Sequence, residues 1–409
     1  MEKVLKKLGP VAMLYIILQP ILDLFTSLSL HLLDKDLTIG IVLRFVFLLF
    51  MGVYLLITWS LSRIYLSILA VFLIIHFLVN HAIKPVFDPI SEIKYMVKLI
   101  YFVVTLLFYF VLIRTCGKEK LLNHLVAAIT IIGVVMVLSG ITGTAFNSYQ
   151  GGKEGNVGWF YAGNEIGAIL AMGFPVVVLA ALKKSNWRWI SVLFLIYSLF
   201  ALGTKVGFGA IVIIFITAII MSIIKKKWLH SLLLAGILAG TFCYFPFSPL
   251  AKNMNMHLSL LGLDKKTALE SAPVTEEQVE NLVYSGREKF LSVQRHYFRE
   301  APLSQKIFGM GYGGNYQKSA KLVEMDFYDL FFSFGILGFI LYFLPFGLFL
   351  LRAILLFLKN LPQSFSISNV MIAVGILLGV GISYTAGHVL TAPGVSIYLA
   401  LLMSYYREQ

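Results

Sequence analysis

About twelve stretches of roughly 20 apolar residues recur along this chain, and no other feature restricts its fold as much. A hydrocarbon layer about 30 Å thick is crossed by about 20 residues of helix. A backbone inside it must satisfy its own hydrogen bonds, so such stretches become helices packed in a bundle. The candidate spans lie near 9–31, 38–58, 62–79, 96–114, 121–143, 161–182, 188–204, 206–223, 228–246, 327–352, 367–389 and 392–406. Those on either side of Gly203 to Lys205 are nearly contiguous, which predicts a tight hairpin or one long broken helix. Only 13% of the residues are charged, against about 25% in soluble domains. The expected fold class is therefore an all-α polytopic membrane protein.

The 33 Lys and Arg against 20 Asp and Glu raise the question of nucleic acid, and placement answers it. With the N-terminus in the cytoplasm, the short cytoplasmic loops hold Lys3, Lys6, Lys7, Arg63, Arg114, Lys118, Lys120, Lys183, Lys184, Arg188, Lys225 to Lys227, Arg352, Lys359 and Arg407. Only Glu2, Glu119 and Glu408 oppose them there. About half of the basic residues are thus topology anchors, and a nucleic-acid partner loses its main support. Both termini are expected in the cytoplasm. Cys116 and Cys243 imply no disulfide framework. The basic start before an apolar run looks like a secretory signal, yet no small-residue cleavage site follows, so it is expected to be an uncleaved first span.

No internal repeat, linker or low-complexity tract is evident, which predicts one helical membrane domain over 1–409 with one large extracytoplasmic insertion over 247–326. Within it, Thr275, Glu276 and Glu277 open what reads as a capped short helix to Tyr284. A second is expected from Ser285 to Arg299, stopped by Pro302, with Phe290, Leu291, Tyr297 and Phe298 free to lie against the bundle or the membrane.

This insertion concentrates the residues suited to chemistry. Arg287, Arg295 and Arg299 offer guanidinium forks that fit phosphates, or else a solvated face and headgroup contacts. Lys205, flanked by glycines between two spans, is placed for a phosphate or for snorkelling, and Lys94 and Lys98 could extend the same basic surface. Asp23 and Arg44 fall inside the first two spans and are expected to pair, with an ion or proton site as the sharper alternative. Gly309-Met310-Gly311-Tyr312-Gly313-Gly314 has the spacing of a dinucleotide fingerprint without its strand, so the glycines point to a tight path or to amides approaching an anion. Glu324, Asp326 and Asp329 form the sharpest cluster. Crowded carboxylates raise one another's pKa, which suits a general base, whereas Asp326 alone could simply cap a helix.

Several segments together resemble the O-antigen ligase and polysaccharide polymerase superfamily, particularly its Gram-positive branch linked to teichuronic acid and capsule assembly. They are Gly158 to Gly167 (GWFYAGNEIG), Gly203-Thr204-Lys205, Ser285-Gly286-Arg287, Phe308 to Gly313 (FGMGYG), and Glu324 through Asp329 to Phe334-Gly335-Ile336-Leu337-Gly338, in the family's order. The resemblance implies a fold related to the lipid-dependent (GT-C-like) glycosyltransferases in a bacterial plasma membrane. It also implies metal-independent, cofactor-free and inverting transfer from a polyprenyl-diphosphate-linked glycan to a glycan acceptor. Arg287 and Lys205, aided by Arg295, would bind the diphosphate. The family's usual His-Asn pair falls on Glu324-Met325, so Glu324 inherits the role of base, with Asp326 and Asp329 as competitors. Lys205 stands where many members carry arginine. A transporter or flippase of lipid-linked glycans is the alternative, favoured by twelve spans and by Asp23 and Arg44.

Overall fold

Helices account for most of the described residues in the computed structural model, which describes residues 2–33, 38–149, 153–184, 187–260, 286–359 and 361–406. They run α1 (Glu2–Leu33), α2 (Ile39–Thr58), α3 (Ser60–Ile83), α4 (Pro89–Cys116), α5 (Lys118–Ile141), α6 (Gly163–Lys184), α7 (Arg188–Ala201), α8 (Lys205–Ile224) and α9 (Trp228–Tyr244). After a short 3-10 turn come α10 (Pro249–Leu260), α11 (Arg287–Glu300), α12 (Leu303–Phe308), α13 (Asp326–Lys359), α14 (Leu361–Ser364), α15 (Ile367–Thr385) and α16 (Pro393–Ser404). The helix expected over 275–284 lies outside the described residues.

Ten of these helices are long and apolar enough to cross a membrane, so this is a multi-pass membrane protein. The expected count of twelve is reached only with α7 and α16, which have 14 and 12 residues. At 1.5 Å per residue they reach about 21 and 18 Å, short of the hydrocarbon thickness. The short α16 is tolerated because protein surrounds it: every residue from Gly394 to Ser404 is buried, so its ends need not reach water. Gly203 and Thr204 resolve the hairpin question. Gly203 takes φ +67°, and the Thr204 hydroxyl accepts from the Gly207 amide and caps α8.

At the centre sits α6, with 94% of its apolar window buried. Its run of Gly, Ala and Val lets neighbours approach closely, the usual means of packing helices where lipid supplies no hydrophobic drive. A Cβ on Gly375 of α15 would lie 2.6 Å from the Met172 carbonyl oxygen, and one on Gly379 would lie 2.4 Å from Met172 Sδ. Conversely, α2 and α3 present Ile57, Leu61 and Ile74 outward, as lipid-facing helices do.

The segment from α11 to the first turns of α13 builds a second, smaller core. Leu291, Tyr297 and Phe298 of α11 pack on a second apolar core made by Ala301, Met310, Val323, Met325 and Phe332. Their expected burial is therefore against protein. Asn253 ties this end together: its amide donates to the carbonyls of Glu154 and Gly203 at 2.6 and 3.1 Å.

Candidate active site

Two backbone turns meet at the mouth of the bundle, one before α13 and one before α16. In the first, Glu324 has φ +65°; in the second, His388 has φ +61°. A left-handed conformation is costly for residues with a Cβ, so something must hold each turn. Between them the packing is close enough that a Cβ on Gly387 would lie 2.6 Å from the Glu324 carbonyl oxygen.

The holding groups are the two aspartates of α13. Asp326 is 1% exposed, and its carboxylate accepts from the amides of His388, Val389 and Leu390 at 3.0, 2.8 and 2.8 Å. It also accepts from the hydroxyls of Ser383 and Thr391 at 2.9 and 2.7 Å. Thus Asp326 fixes the turn of His388 rather than capping its own helix. Asp329 accepts from Val323 N at 2.7 Å, Glu324 N at 3.0 Å and Met325 N at 3.2 Å, and fixes the turn of Glu324. Both aspartates act as backbone anchors, and Glu324 is the carboxylate of the three that faces cations.

Lys321 Nζ donates to Glu324 Oε1 at 2.9 Å, and Arg287 Nη2 lies 3.8 Å from Glu324 Oε2. Burial raises the Glu324 pKa, but the hydrogen bond and charge of Lys321, with His388 and Arg287, outweigh it and hold the carboxyl below its usual value. Glu324 is therefore ionised near neutrality. His388 is shifted down, chiefly by burial; Asp326 and Glu324 oppose the shift, and Arg287 and Lys98 add to it. Its imidazole is neutral near pH 7, where neutral nitrogen is the form that takes a proton.

Arg287 starts α11 behind Gly286, which takes φ +83°. Tyr149 is within electrostatic reach of Arg287, Lys153 Nζ sits 5.6 Å from the centre of the Tyr149 ring, and Lys153 is within electrostatic reach of Lys205. Lys205 and Arg287, far apart in sequence, are thereby linked stepwise through Lys153 and Tyr149 of the loop after α5. Arg295 is exposed further along α11.

The glycine cluster does let amides approach an anion, and the anion is part of the protein. Glu92 of α4 accepts from Tyr312 N at 3.1 and 2.9 Å through its two oxygens. Lys84 pairs with Glu92 and donates to the Tyr312 carbonyl at 2.8 Å. Deeper in the bundle, Arg44 Nη2 meets Asp23 Oδ1 at 2.6 Å and Arg44 Nε donates to Gln19 at 3.2 Å. This pair backs onto the start of α16, where a Cβ on Gly394 would lie 3.1 Å from both groups. The Asp23–Arg44 pair thus packs against the first turn of α16, while Asp326 holds the turn of His388 that precedes it. Glu165, in the first turn of α6, lies within electrostatic reach of Asp23, Arg44, Lys98 and Asp326.

The family model for O-antigen ligase-like membrane proteins matches residues 6–407. The chain belongs to that family. No match to it was found among curated proteins. Membership in the O-antigen ligase-like family carries membrane glycosyl transfer to polysaccharide as the general activity. Within this member, sequence reasoning passed over His388, Lys153 and the Lys84–Glu92 pair, and quoted Glu165 only as part of a motif, without a role. His388 lies 64 residues beyond Glu324 and in no charged motif; one available signal was a lone histidine in Gly387-His388 between two apolar helices.

Proposed function

We propose that this protein transfers a glycan from a polyprenyl diphosphate carrier to a sugar hydroxyl at the outer face of a bacterial plasma membrane. The apposition that carries the proposal is Arg287 within 3.8 Å of Glu324, beside a neutral His388 whose turn touches that of Glu324. Arg287 meets the diphosphate as a planar fork, and Lys205 and Lys153 extend the positive surface along the loop after α5. Such fixed cations lower the charge on the leaving diphosphate and take the place of a metal.

His388 accepts the proton of the acceptor hydroxyl as its oxygen bonds to the anomeric carbon. The bond from that carbon to the diphosphate breaks, and its electron pair departs with the lipid diphosphate. One direct displacement inverts the anomeric centre. Glu324 stabilises the imidazolium and keeps Arg287 in place; Glu324 as the direct proton acceptor is the competing assignment, weakened by its lowered pKa. Asp326 and Asp329 are left out of proton transfer because their oxygens already serve backbone amides.

The test supplies purified protein with a polyprenyl-diphosphate glycan, with and without a second acceptor, and follows product length and released lipid diphosphate. A lengthened glycan on lipid marks a polymerase, and transfer to the second acceptor marks a ligase. Movement of intact lipid between leaflets without bond cleavage would instead establish a transporter. Arg287→Ala and His388→Gln are each expected to lower transfer about 100-fold, the scale seen when one charge-stabilising donor is removed, with membrane insertion intact.

A further inference from the structure

At the end of the bundle opposite Arg287 and Glu324, the sequence supplied only topology anchors, and three of them converge. Lys118 at the start of α5, Lys183 near the end of α6 and Arg188 at the start of α7 line one cavity of about 260 Å³. Lys118 Nζ sits 5.2 Å from the centre of the Tyr405 ring, which forms another wall. Below this rim the floor is apolar: Val126, Val176, Leu179 and Ala180 are buried. Among the described residues that line it, Glu119 is the one carboxylate against the three cations.

Anchors that serve topology alone gain by fanning out into separate headgroups, since like charges gathered together repel. Here cations from three helices share one opening, with Lys227 in electrostatic reach of Lys183. Two helix N-termini also point their first residues at it, and neither α5 nor α7 has a side-chain N-cap. The positive ends of helix dipoles favour an anion. An arginine fork, lysines and an apolar floor between helices describe a site for a phosphodiester attached to something greasy. We propose that this cavity binds the phosphodiester and glycerol of an anionic phospholipid, with the cationic rim on the phosphate and the lipid's first apolar carbons on the floor.

The experiment compares thermal stability in nanodiscs of phosphatidylcholine alone, of phosphatidylcholine with phosphatidylglycerol, and of phosphatidylcholine with added inorganic phosphate, alongside lipid retained in native mass spectrometry. The expected result is a higher Tm with phosphatidylglycerol only, and at least tenfold preferential retention of the anionic lipid. Both are lost in the triple variant Lys118→Gln/Lys183→Gln/Arg188→Gln. Asn123→Glu, which places a negative charge on an exposed lining residue without removing a contact from the core, is expected to abolish both while keeping the Tm in phosphatidylcholine. Equal retention by wild type and Asn123→Glu would overturn the proposal, as would a Tm rise of the same size from inorganic phosphate alone.

Discussion

Of the three carboxylates between residues 324 and 329, sequence reasoning ranked Glu324 first by register, kept Asp326 and Asp329 as competing bases, and gave Asp326 a helix cap as its alternative. Their surroundings separate them. Asp326 holds five donors, and removing it strands two buried amides and one half-buried one, and a buried amide costs about 1–3 kcal/mol when left unmet. Asp326→Ala is therefore expected to destabilise by about 3–5 kcal/mol and to lower Tm in detergent, whereas Glu324→Gln leaves Tm nearly unchanged and lowers transfer; the opposite pattern would exchange their roles. The pH profile provides a second check. His388 acts when neutral and its pKa lies below the usual value near 6.5, so activity should persist below pH 6.5 and fall only as His388 gains its proton. Lys98 pushes that pKa down and Glu324 pushes it up. Lys98→Gln should move the acid limb to higher pH and Glu324→Gln should move the residual limb to lower pH; limbs that stay put would remove His388 from proton transfer. None of this was visible in sequence, because a carboxylate's role depended on which distant amides the fold delivered to it.

Among elements, the long apolar stretches were legible because membrane spans repeat one simple requirement of length and hydropathy. What the pattern missed were junctions. Gly335 breaks α13 with φ +66° and ψ −173°, and the break frees the carbonyls of Phe332 and Ser333. Met310 N and Gly311 N then donate to them at 3.0 and 2.9 Å. Gly309 must come close for this: a Cβ there would lie 2.0 Å from the Ser333 carbonyl oxygen, and one on Gly335 would lie 2.5 Å from Gly309 N. The two glycine motifs are thus halves of one backbone contact that positions the turn of Glu324. Gly335→Ala combines a positive φ with a clash against backbone, so a loss above about 2 kcal/mol is expected, with lower Tm and lower transfer together. An alanine variant with wild-type Tm would show that the contact is dispensable. Lys84 and Glu92 also escaped notice, since eight residues and a turn separate them and only the Tyr312 backbone explains why both are buried there.

Across the whole molecule, the cations that chose an orientation in sequence also divide the structure into two ends with different chemistry. Glu154, Gly203 and Asn253 meet at the end that carries Arg287, Glu324 and His388, while Lys118, Lys183 and Tyr405 meet at the other. A lipid-linked diphosphate presented outside the cell reaches only the first end if the N-terminus is cytoplasmic, so the proposed reaction depends on the sense in which the bundle is inserted. With Cys116 and Cys243 replaced by serine, single cysteines report that sense directly. Lys252 is exposed on α10 beside Glu154, and Lys225 is exposed at the end of α8. A membrane-impermeant maleimide is expected to label Lys252→Cys on intact cells and to label Lys225→Cys only after the membrane is opened. Positive-inside placement supplies the direction, because moving a cluster of lysines across the membrane during insertion is opposed. The reversed pattern would put Arg287, Glu324 and His388 in the cytoplasm, where the outer-face donor does not reach them, and would sink the proposed transfer at that face even if every contact in the site were as described.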